Sequence, residues 1–177
     1  IRQRLPLYGV IVPNAERVRE VAARFPGVIR GVSKHIGDAV KEGEALATIE
    51  SNESLQSYSL VAPLAGIVTA RNANPGEQTG DKALFTVADL STVWVELSLI
   101  PRDIGKVRLG QTVRVKNADT KRTAEGKIVY VAPFGSSSTQ TLSARVLLNN
   151  RDHQWPPGLY VTAEVILGAD AAPLADF

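Results

Sequence analysis

Cysteine and methionine are both missing from the 177 residues of the chain. Without cysteine the chain has no disulfide bond, no thiolate metal site and no cysteine nucleophile. Without either sulfur-containing residue it also lacks the soft ligands that Cu(I) prefers. No apolar run approaches the ~20 residues that a membrane-spanning helix needs. Because residue 1 is not methionine, we expect the natural start, with any signal peptide or lipid anchor, to lie upstream.

Aromatic residues and net charge are also scarce. Aromatic residues make up 6% of the chain, and 20 Lys and Arg residues against 18 Asp and Glu residues leave a net charge of +2. Basic residues do not cluster and do not alternate with aromatic ones, so we expect no nucleic-acid partner. A hydrophobic content of 44% is typical of a folded protein. The length allows one medium-sized domain or two small ones.

Short apolar or alternating runs, separated by Gly, Pro, Asn and Asp, extend along almost the whole chain. This pattern is typical of β-sandwiches and β-barrels. It predicts strands at 5–12, 17–24, 27–34, 45–50, 58–62, 66–72, 84–88, 93–100, 111–116, 125–132, 140–148 and 159–167. One short helix is predicted at 101–107, because proline suits a first helical turn and Ile104 and Val107 have helical spacing.

An internal repeat is the most informative feature of the sequence. Its first copy, 27–49, recurs as 66–87 with an offset of 39 residues that falls to 38 near the end. The matching positions are Gly27 with Gly66, Gly37 with Gly76, Leu46 with Leu84 and Thr48 with Thr86. Each copy predicts a strand, two glycine turns around a short segment, and a second strand. One copy alone could not bury its apolar face, so we predict pseudo-symmetric halves of one small flattened barrel. Two ordinary hairpins with coincidental glycines are the alternative.

The repeated unit resembles the biotinyl/lipoyl domain, also called the barrel-sandwich hybrid. The resemblance rests on the Gly-Asp-x-Val-x-x-Gly-x-x-Leu run at 37–46 and the Ala-Pro-x-x-Gly-x-Val run at 62–68. Two classes of protein share that fold. In one, a lysine at the tip of the central hairpin carries biotin or lipoate; in the other, the membrane-fusion adaptors of efflux pumps, the domain is a scaffold. The tip at 51–57 contains no lysine, so it has no amine for a cofactor. We therefore expect no covalent cofactor, and we expect Lys41 and Lys82 to be solvated surface residues.

The second half of the chain also favours the adaptor class. Residues 91–168 contain the run Ser-Thr-Val-Trp-Val-Glu-Leu, a short helix, a Gly-Gln turn and a closing strand entered through Pro-Gly. This resembles the adaptor β-barrel domain, which carrier proteins lack. The resemblance covers roughly residues 8–168 and is nearest to the heavy-metal, CzcB/CusB-like branch of the HlyD-like family. The runs at 88–95 and 9–14 suggest that branch.

From this resemblance we expect an all-β chain of two domains. A lipoyl-like barrel-sandwich hybrid is expected at 24–90, and a six-stranded antiparallel β-barrel with one short helix at 91–168. Residues 1–23 are expected to form N-terminal strands, either at the barrel edge or as a remnant of a membrane-proximal domain. Residues 169–177 are expected to begin that membrane-proximal domain. The family usually inserts a long α-helical hairpin between the two lipoyl halves. The seven residues at 51–57 are too few for a helical pair, whether the hairpin is naturally absent or was removed.

Candidate metal ligands are few. His35 precedes the turn at Gly37, and His153 lies beside Asp152 in a polar loop. Zinc accepts histidine and carboxylate ligands, but these residues have no recognisable ligand spacing. The prediction is therefore that they are surface turn residues, with His35, His153 and Asp152 kept as weak metal-site candidates. The Ser136–Ser138 run follows a turn-like Phe-Gly and has no catalytic partners, so a solvated loop is expected and no enzymatic activity.

The resemblance implies a periplasmic adaptor, associated with the inner membrane, that couples an inner-membrane RND-type transporter to an outer-membrane channel. Direct contact with the channel through a helical tip is doubtful because the hairpin is missing. Family members assemble as a ring of adaptors, and the nearest branch implies export of heavy-metal cations. A periplasmic metal-binding chaperone, or an adaptor for drug or protein export, remains as an alternative.

Overall fold

Thirteen strands and two 3-10 helices occupy most of residues 3–133 and 142–167, the parts of the chain that the computed structural model describes. The strands are β1 (Gln3–Pro13), β2 (Val18–Ala22), β3 (Gly27–Val32), β4 (Ala39–Val40), β5 (Ala45–Ser51), β6 (Ser57–Val61), β7 (Gly66–Arg71), β8 (Ala83–Ala88), β9 (Thr92–Leu99), β10 (Thr112–Lys116), β11 (Thr123–Val131), β12 (Leu142–Asn149) and β13 (Tyr160–Leu167). The 3-10 helices are Ala15–Arg17 and Pro101–Lys106. The predicted all-β class is confirmed, and the short helix expected at 101–107 is a 3-10 helix one residue shorter.

The chain divides into two compact units. One contains residues 14–90, and the other contains residues 1–13 together with 91–177. The N-terminal segment expected at 1–23 is thus divided, because β1 pairs with β13 and β9 whereas β2 pairs with β8. The lipoyl-like unit begins at Asn14, ten residues earlier than expected. Ser136–Ser138 and residues 169–177 lie outside the described residues.

The unit that contains β1 is a closed antiparallel barrel in the order β1-β13-β10-β11-β12-β9. Alternate residues of each strand fill it, as the two-residue period of a strand requires. Along β9, Val93, Val95 and Leu97 are fully buried, whereas Trp94 lies on the outer face. Trp155 joins the same core and is only 3% exposed. The predicted six-stranded barrel is therefore confirmed, and β1 supplies one of its strands.

The unit at 14–90 consists of two sheets around one core. One sheet has the order β2-β8-β7-β4 and the other the order β3-β5-β6. The expectation that both repeats belong to one closed barrel is corrected here, because their main strand pairs, β3 with β5 and β7 with β8, lie in separate sheets. Each pair has one apolar face, and the other sheet covers it. Fully buried core residues come from both sheets, among them Ile29 and Ile49 on one side and Leu84 and Phe85 on the other.

The two repeats nevertheless contact each other through equivalent backbone pairings, one from each copy to the other. The Gly37 N–H donates to Val68 O at 2.8 Å, and the Gly76 N–H donates to Ile29 O at 2.7 Å. Ala39 pairs with Ile67, and Gln78 forms a bridge with Val28. In both cases the second contact joins the residues that are equivalent, by the 39-residue offset of the repeat, to those of the first contact. The predicted pseudo-two-fold relationship between the copies therefore holds across two sheets.

Two glycines of the repeat permit the closest strand approach. A Cβ atom at Gly27 would lie 2.0 Å from Glu50 O, and one at Gly66 would lie 2.3 Å from Ala88 O. These distances are far inside van der Waals contact, so only glycine fits at either position. The recurrence of Gly27 as Gly66 is thus explained by the pairing of β3 with β5 and of β7 with β8.

Candidate functional site

The tip of the β5-β6 hairpin is the first candidate site, because it decides between a cofactor carrier and a scaffold. Strands β5 and β6 stay paired up to Glu50 and Ser57. The Leu55 N–H donates to Ser51 O at 2.9 Å, and the Ser51 N–H donates to Gln56 O at 2.9 Å. The segment forms a tight turn without a helix, as predicted. Its side chains offer hydroxyl, amide and carboxylate groups, but no amine.

Exposed apolar side chains surround this tip. Leu55 is 70% exposed and has a positive φ of 59°, a backbone region that non-glycine residues rarely occupy. Phe25 is 53% exposed and packs edge-to-face on Tyr58, with ring centroids 5.7 Å apart. The Tyr58 hydroxyl accepts a hydrogen bond from Phe25 N and donates one to Phe25 O. An open cavity of about 320 Å³ lies beside this aromatic pair. We name Phe25, Leu55 and Tyr58 the tip patch.

Lys41 and Lys82, the nearest lysines before and after the tip, are exposed, as predicted. Lys41 follows β4, where its backbone N–H donates to Glu44 Oε1 at 2.9 Å. Lys82 precedes β8, and its Nζ lies 3.4 Å from Asn72 Oδ1. Both lie in the outer turns of the repeats and not in the tip between β5 and β6.

The histidines lie in separate units and have separate surroundings. His35 is exposed, and its backbone N–H donates to Asp38 Oδ2 at 2.8 Å, which closes the turn before Gly37. His153 is exposed with a positive φ of 57°, and the neighbouring Asp152 Oδ1 accepts a hydrogen bond from Gln154 N. Among residues 3–133 and 142–167, no group of three His, Cys, Asp or Glu side chains is placed to hold a metal ion. Weak metal binding at these residues stays a prediction.

The outer face of the barrel carries a stacked arginine that sequence analysis missed. The Arg145 guanidinium carbon lies 4.5 Å from the ring centroid of Trp94 and 4.9 Å from that of Tyr130. Its Nε also donates to Glu96 Oε1 at 3.3 Å. Three strands contribute to this arrangement, since Arg145 lies opposite Tyr130 on one side and opposite Glu96 on the other. The Arg145 guanidinium group therefore makes cation–π contacts with two aromatic rings on the outer face of the barrel.

A second aromatic pair lies on β1 and β13. Tyr8 is 77% exposed and Tyr160 is 81% exposed. Because Tyr8 pairs with Thr162 and Val10 pairs with Tyr160, the two tyrosines are diagonal neighbours on one outer face. Large exposed aromatic residues are common where a protein meets a partner. We name Tyr8 and Tyr160 the barrel patch.

In the lipoyl-like unit, Lys34 and Glu44 form an ion pair in which each residue shifts the pKa of the other. Lys34 Nζ lies 2.7 Å from Glu44 Oε2. The hydrogen bond from Lys34, helped by that from Lys41 N, lowers the pKa of Glu44, and the same pair raises the pKa of Lys34. The two side chains are 23% and 37% exposed, so solvent weakens the attraction between them.

The family comparisons divide the chain between residues 89 and 92, where the fold also passes from one unit to the other. Residues 17–89 match the family described as the CzcB-like barrel-sandwich hybrid domain, and residues 92–168 match the CusB-like beta-barrel domain. No described helix is long and apolar enough to cross a membrane. The two matched modules follow one another directly along the chain.

Two curated relatives share the same level of identity. The cation efflux system protein CzcB of Alcaligenes sp. (strain CT14) and the cobalt-zinc-cadmium resistance protein CzcB of Cupriavidus metallidurans are each 35% identical over 136 residues, which is 76% of this chain. The chain spans about a quarter of the length of these relatives, since the match covers 26% of each. Among solved structures, ZneB from Cupriavidus metallidurans superposes with a TM-score of 0.79 at 20% identity, over 95% of this chain and 100% of that one.

Proposed function

The chain belongs to the membrane fusion proteins, the adaptors of RND-type efflux pumps, in their CzcB/CusB-like branch, and from this premise we propose that it couples an inner-membrane transporter to an outer-membrane channel. The observation that carries the proposal is the tandem of a CzcB-like barrel-sandwich hybrid and a CusB-like barrel in one chain. Proteins of this family are structural linkers without enzymatic activity. We extend that property to this chain.

The tip supports a scaffold role for the lipoyl-like unit. A carrier needs an amine at the hairpin tip, and residues 51–57 contain no lysine. The tip patch instead presents Phe25 and Leu55 to solvent. Because exposing large apolar side chains is costly unless a partner covers them, we propose that a second copy of the chain contacts the tip patch.

The partners follow from the same premise. We propose that the barrel patch contacts an RND-type transporter in the periplasm, where homologues of this chain act. We also propose that copies of the chain associate as a ring at the inner membrane. The short tip offers no helices to reach a channel. A photo-crosslinker at Asn52 should therefore give no adduct with an outer-membrane channel in cells, and such an adduct would contradict the proposed arrangement.

The cargo is proposed from the names of the two curated relatives, which are a cation efflux protein and a cobalt-zinc-cadmium resistance protein. We propose that the pump exports divalent heavy-metal cations. The cations pass through the transporter, and this chain needs no tight metal site of its own. His35 and His153, the only histidines, lie in separate turns.

Gene deletion with complementation tests this function. Cells that lack the gene should become more sensitive to Zn²⁺, Co²⁺ and Cd²⁺, as measured by minimal inhibitory concentrations, and the wild-type gene should restore resistance. An uncharged antibiotic serves as the control cargo. Sensitivity to the antibiotic alone would contradict heavy-metal export and favour an adaptor for drugs.

A double variant separates the adaptor from a metal-binding chaperone. With His35→Ala and His153→Ala combined, the gene should restore metal resistance fully, because neither histidine belongs to a surface proposed for coupling. Zinc titration of the purified variant should match that of the wild type. Loss of a stoichiometric zinc site together with loss of resistance would favour the chaperone instead.

A further inference from the structure

One end of the barrel unit has an open cavity that the coupling function does not use. Its volume is about 510 Å³. Two arginines, Arg122 and Arg151, line it together with Asp152, and the nearly buried Trp155 supplies part of its wall. Arg122 immediately precedes β11, and Arg151 follows β12, so two neighbouring strands bring both arginines to the same opening.

A buried asparagine organises each of the two loops that hold these arginines. In the first loop, Asn117 Oδ1 accepts a hydrogen bond from Asp119 N at 3.0 Å, and Asn117 N donates to Arg122 O at 2.9 Å. In the second, Asn150 Oδ1 accepts from Trp155 N at 2.8 Å, and Asn150 O accepts from His153 N at 2.9 Å. Asn117 is 7% exposed and Asn150 is 1% exposed. Hydrogen bonds from a buried asparagine thus hold the backbone of each loop, and with it the backbone of each arginine, in place.

The charge of the cavity is not balanced internally. Within the described ranges 3–133 and 142–167, neither Arg122 nor Arg151 forms an ion pair with a carboxylate. Asp152 lines the same cavity, where its Oδ1 accepts a hydrogen bond from Gln154 N. Two guanidinium groups and one carboxylate leave a net charge of +1. A ligand with a single negative charge neutralises that charge, whereas a dianion exceeds it.

We propose that this cavity is a binding site for a carboxylate-bearing ligand. A guanidinium group matches a carboxylate by two parallel N–H donors, and a second guanidinium fixes its orientation. Trp155 supplies an apolar wall for the body of the ligand. The carboxylate can belong to a free organic acid or to the C-terminus of a peptide, since both present the same group.

Titration of the full chain with four probes, followed by ¹H–¹⁵N NMR, tests the site. The probes are benzoate, N-acetylphenylalanine, the neutral analogue benzamide and dimethyl phosphate, a monoanion without a carboxylate. The readout is the indole N–H signal of Trp155, which a Trp94→Phe variant distinguishes from that of Trp94, the only other tryptophan. We expect benzoate or N-acetylphenylalanine to shift this signal in a saturable manner. Preference for benzoate identifies a small acid, and preference for N-acetylphenylalanine identifies a chain end.

Three variants assign the binding to the two arginines. Arg122→Gln and Arg151→Gln should each weaken carboxylate binding about tenfold, because each removes a hydrogen bond to a charged group. Arg108→Gln is the matched control, since Arg108 is exposed in the same unit but does not line the cavity, and it should change the affinity less than twofold. The absence of saturable shifts, equal weakening in all three variants, or binding of benzamide or dimethyl phosphate as tight as that of benzoate would each overturn the proposal.

Discussion

The barrel and the barrel-sandwich hybrid complete their β-structure in different ways. In the barrel every strand has two hydrogen-bonded neighbours, and β1 closes it by pairing with both β13 and β9. In the hybrid neither sheet closes, and the two repeats are joined by a shared core and by reciprocal pairings. The barrel therefore depends on closure of one ladder, whereas the hybrid depends on side-chain packing and close backbone approach. Variants that affect these features separately can test the contrast.

Truncation of core leucines should have the largest effect. Leu46 and Leu84 occupy equivalent positions in the two repeats, Leu97 lies in the barrel core, and all three are fully buried. Each change to alanine should cost about 3–4 kcal/mol of unfolding free energy, because a cavity replaces packed side-chain atoms. Urea denaturation followed by amide hydrogen exchange reports each unit separately. Leu147→Ala is the control, since Leu147 is 39% exposed. Costs for Leu46→Ala and Leu84→Ala that differ by several-fold would show that the pseudo-symmetry does not extend to packing energy.

Substitution of the close-approach glycines should rank second. Gly27→Ala and Gly66→Ala should each destabilise the hybrid by about 2–3 kcal/mol, because the added Cβ would overlap a backbone oxygen of the partner strand. Gly31→Ala is the matched control in the same strand, since a Cβ there meets nothing within 4 Å. Urea midpoints measured for the three variants are the readout. If Gly31→Ala proved as harmful as Gly27→Ala, the cost would come from β3 as a whole and not from the close approach.

The stacked arginine of the barrel should contribute less. Arg145→Lys keeps the charge but loses the planar group that lies between Trp94 and Tyr130, and it should cost about 1 kcal/mol. Thermal unfolding followed by tryptophan fluorescence measures this loss. Arg114→Lys provides the comparison, because Arg114 pairs with Glu125 on the barrel exterior at 3.0 Å and stacks on no aromatic ring among the described residues. Equal costs for the two variants would remove any special role for stacking.

The smallest effect concerns the partly exposed Lys34–Glu44 pair. The pKa of Glu44 lies below its ordinary value of 4.5, so its contribution to stability is present above that value and is lost as the pH falls through the folded-state pKa. The pKa of Lys34 lies above 10.5, so its contribution is lost only as the pH rises through that higher value. NMR titration of the Glu44 carboxyl should show its pKa rising in Lys34→Gln. It should stay unchanged in Lys121→Gln, a control in the other unit.

Local sequence pattern predicted most of the strands, whereas the two matched domains were expected from the family resemblance. The alternation of apolar residues sufficed because it reports burial on one face of a strand. Strand β4 was missed, since the two residues Ala39 and Val40 are too few for alternation to show. The division of the N-terminal segment at Pro13 was also missed. It depends on the pairing of β1 with β13 and of β2 with β8, and these partners are distant in sequence.

The candidate surfaces were less predictable than the fold. The lysine-free tip was identified from its composition, because a missing amine needs no structural context. The Arg145 stack was not identified, since it requires the register that places Arg145 between Tyr130 and Glu96. The cavity lined by Arg122 and Arg151 was not predicted either, since it requires the pairing of β11 with β12. The sequence signal nearest to it, the polar run at 149–154, indicated a solvated loop.

The pairing of β2 with β8 has a consequence for the order of folding during synthesis. The hybrid is one continuous stretch, 14–90, so it can fold before β10 to β13 have been translated. The barrel cannot close until β13 is available to β1. Once the hybrid has folded, residues 18 and 88 lie side by side, and the link between β1 and β9 shortens from ~80 flexible residues to a few. This reduces the loop-closure entropy of the barrel by roughly 2 kcal/mol. Prior folding of residues 14–90 thus favours closure of the barrel, because it shortens the link between β1 and β9.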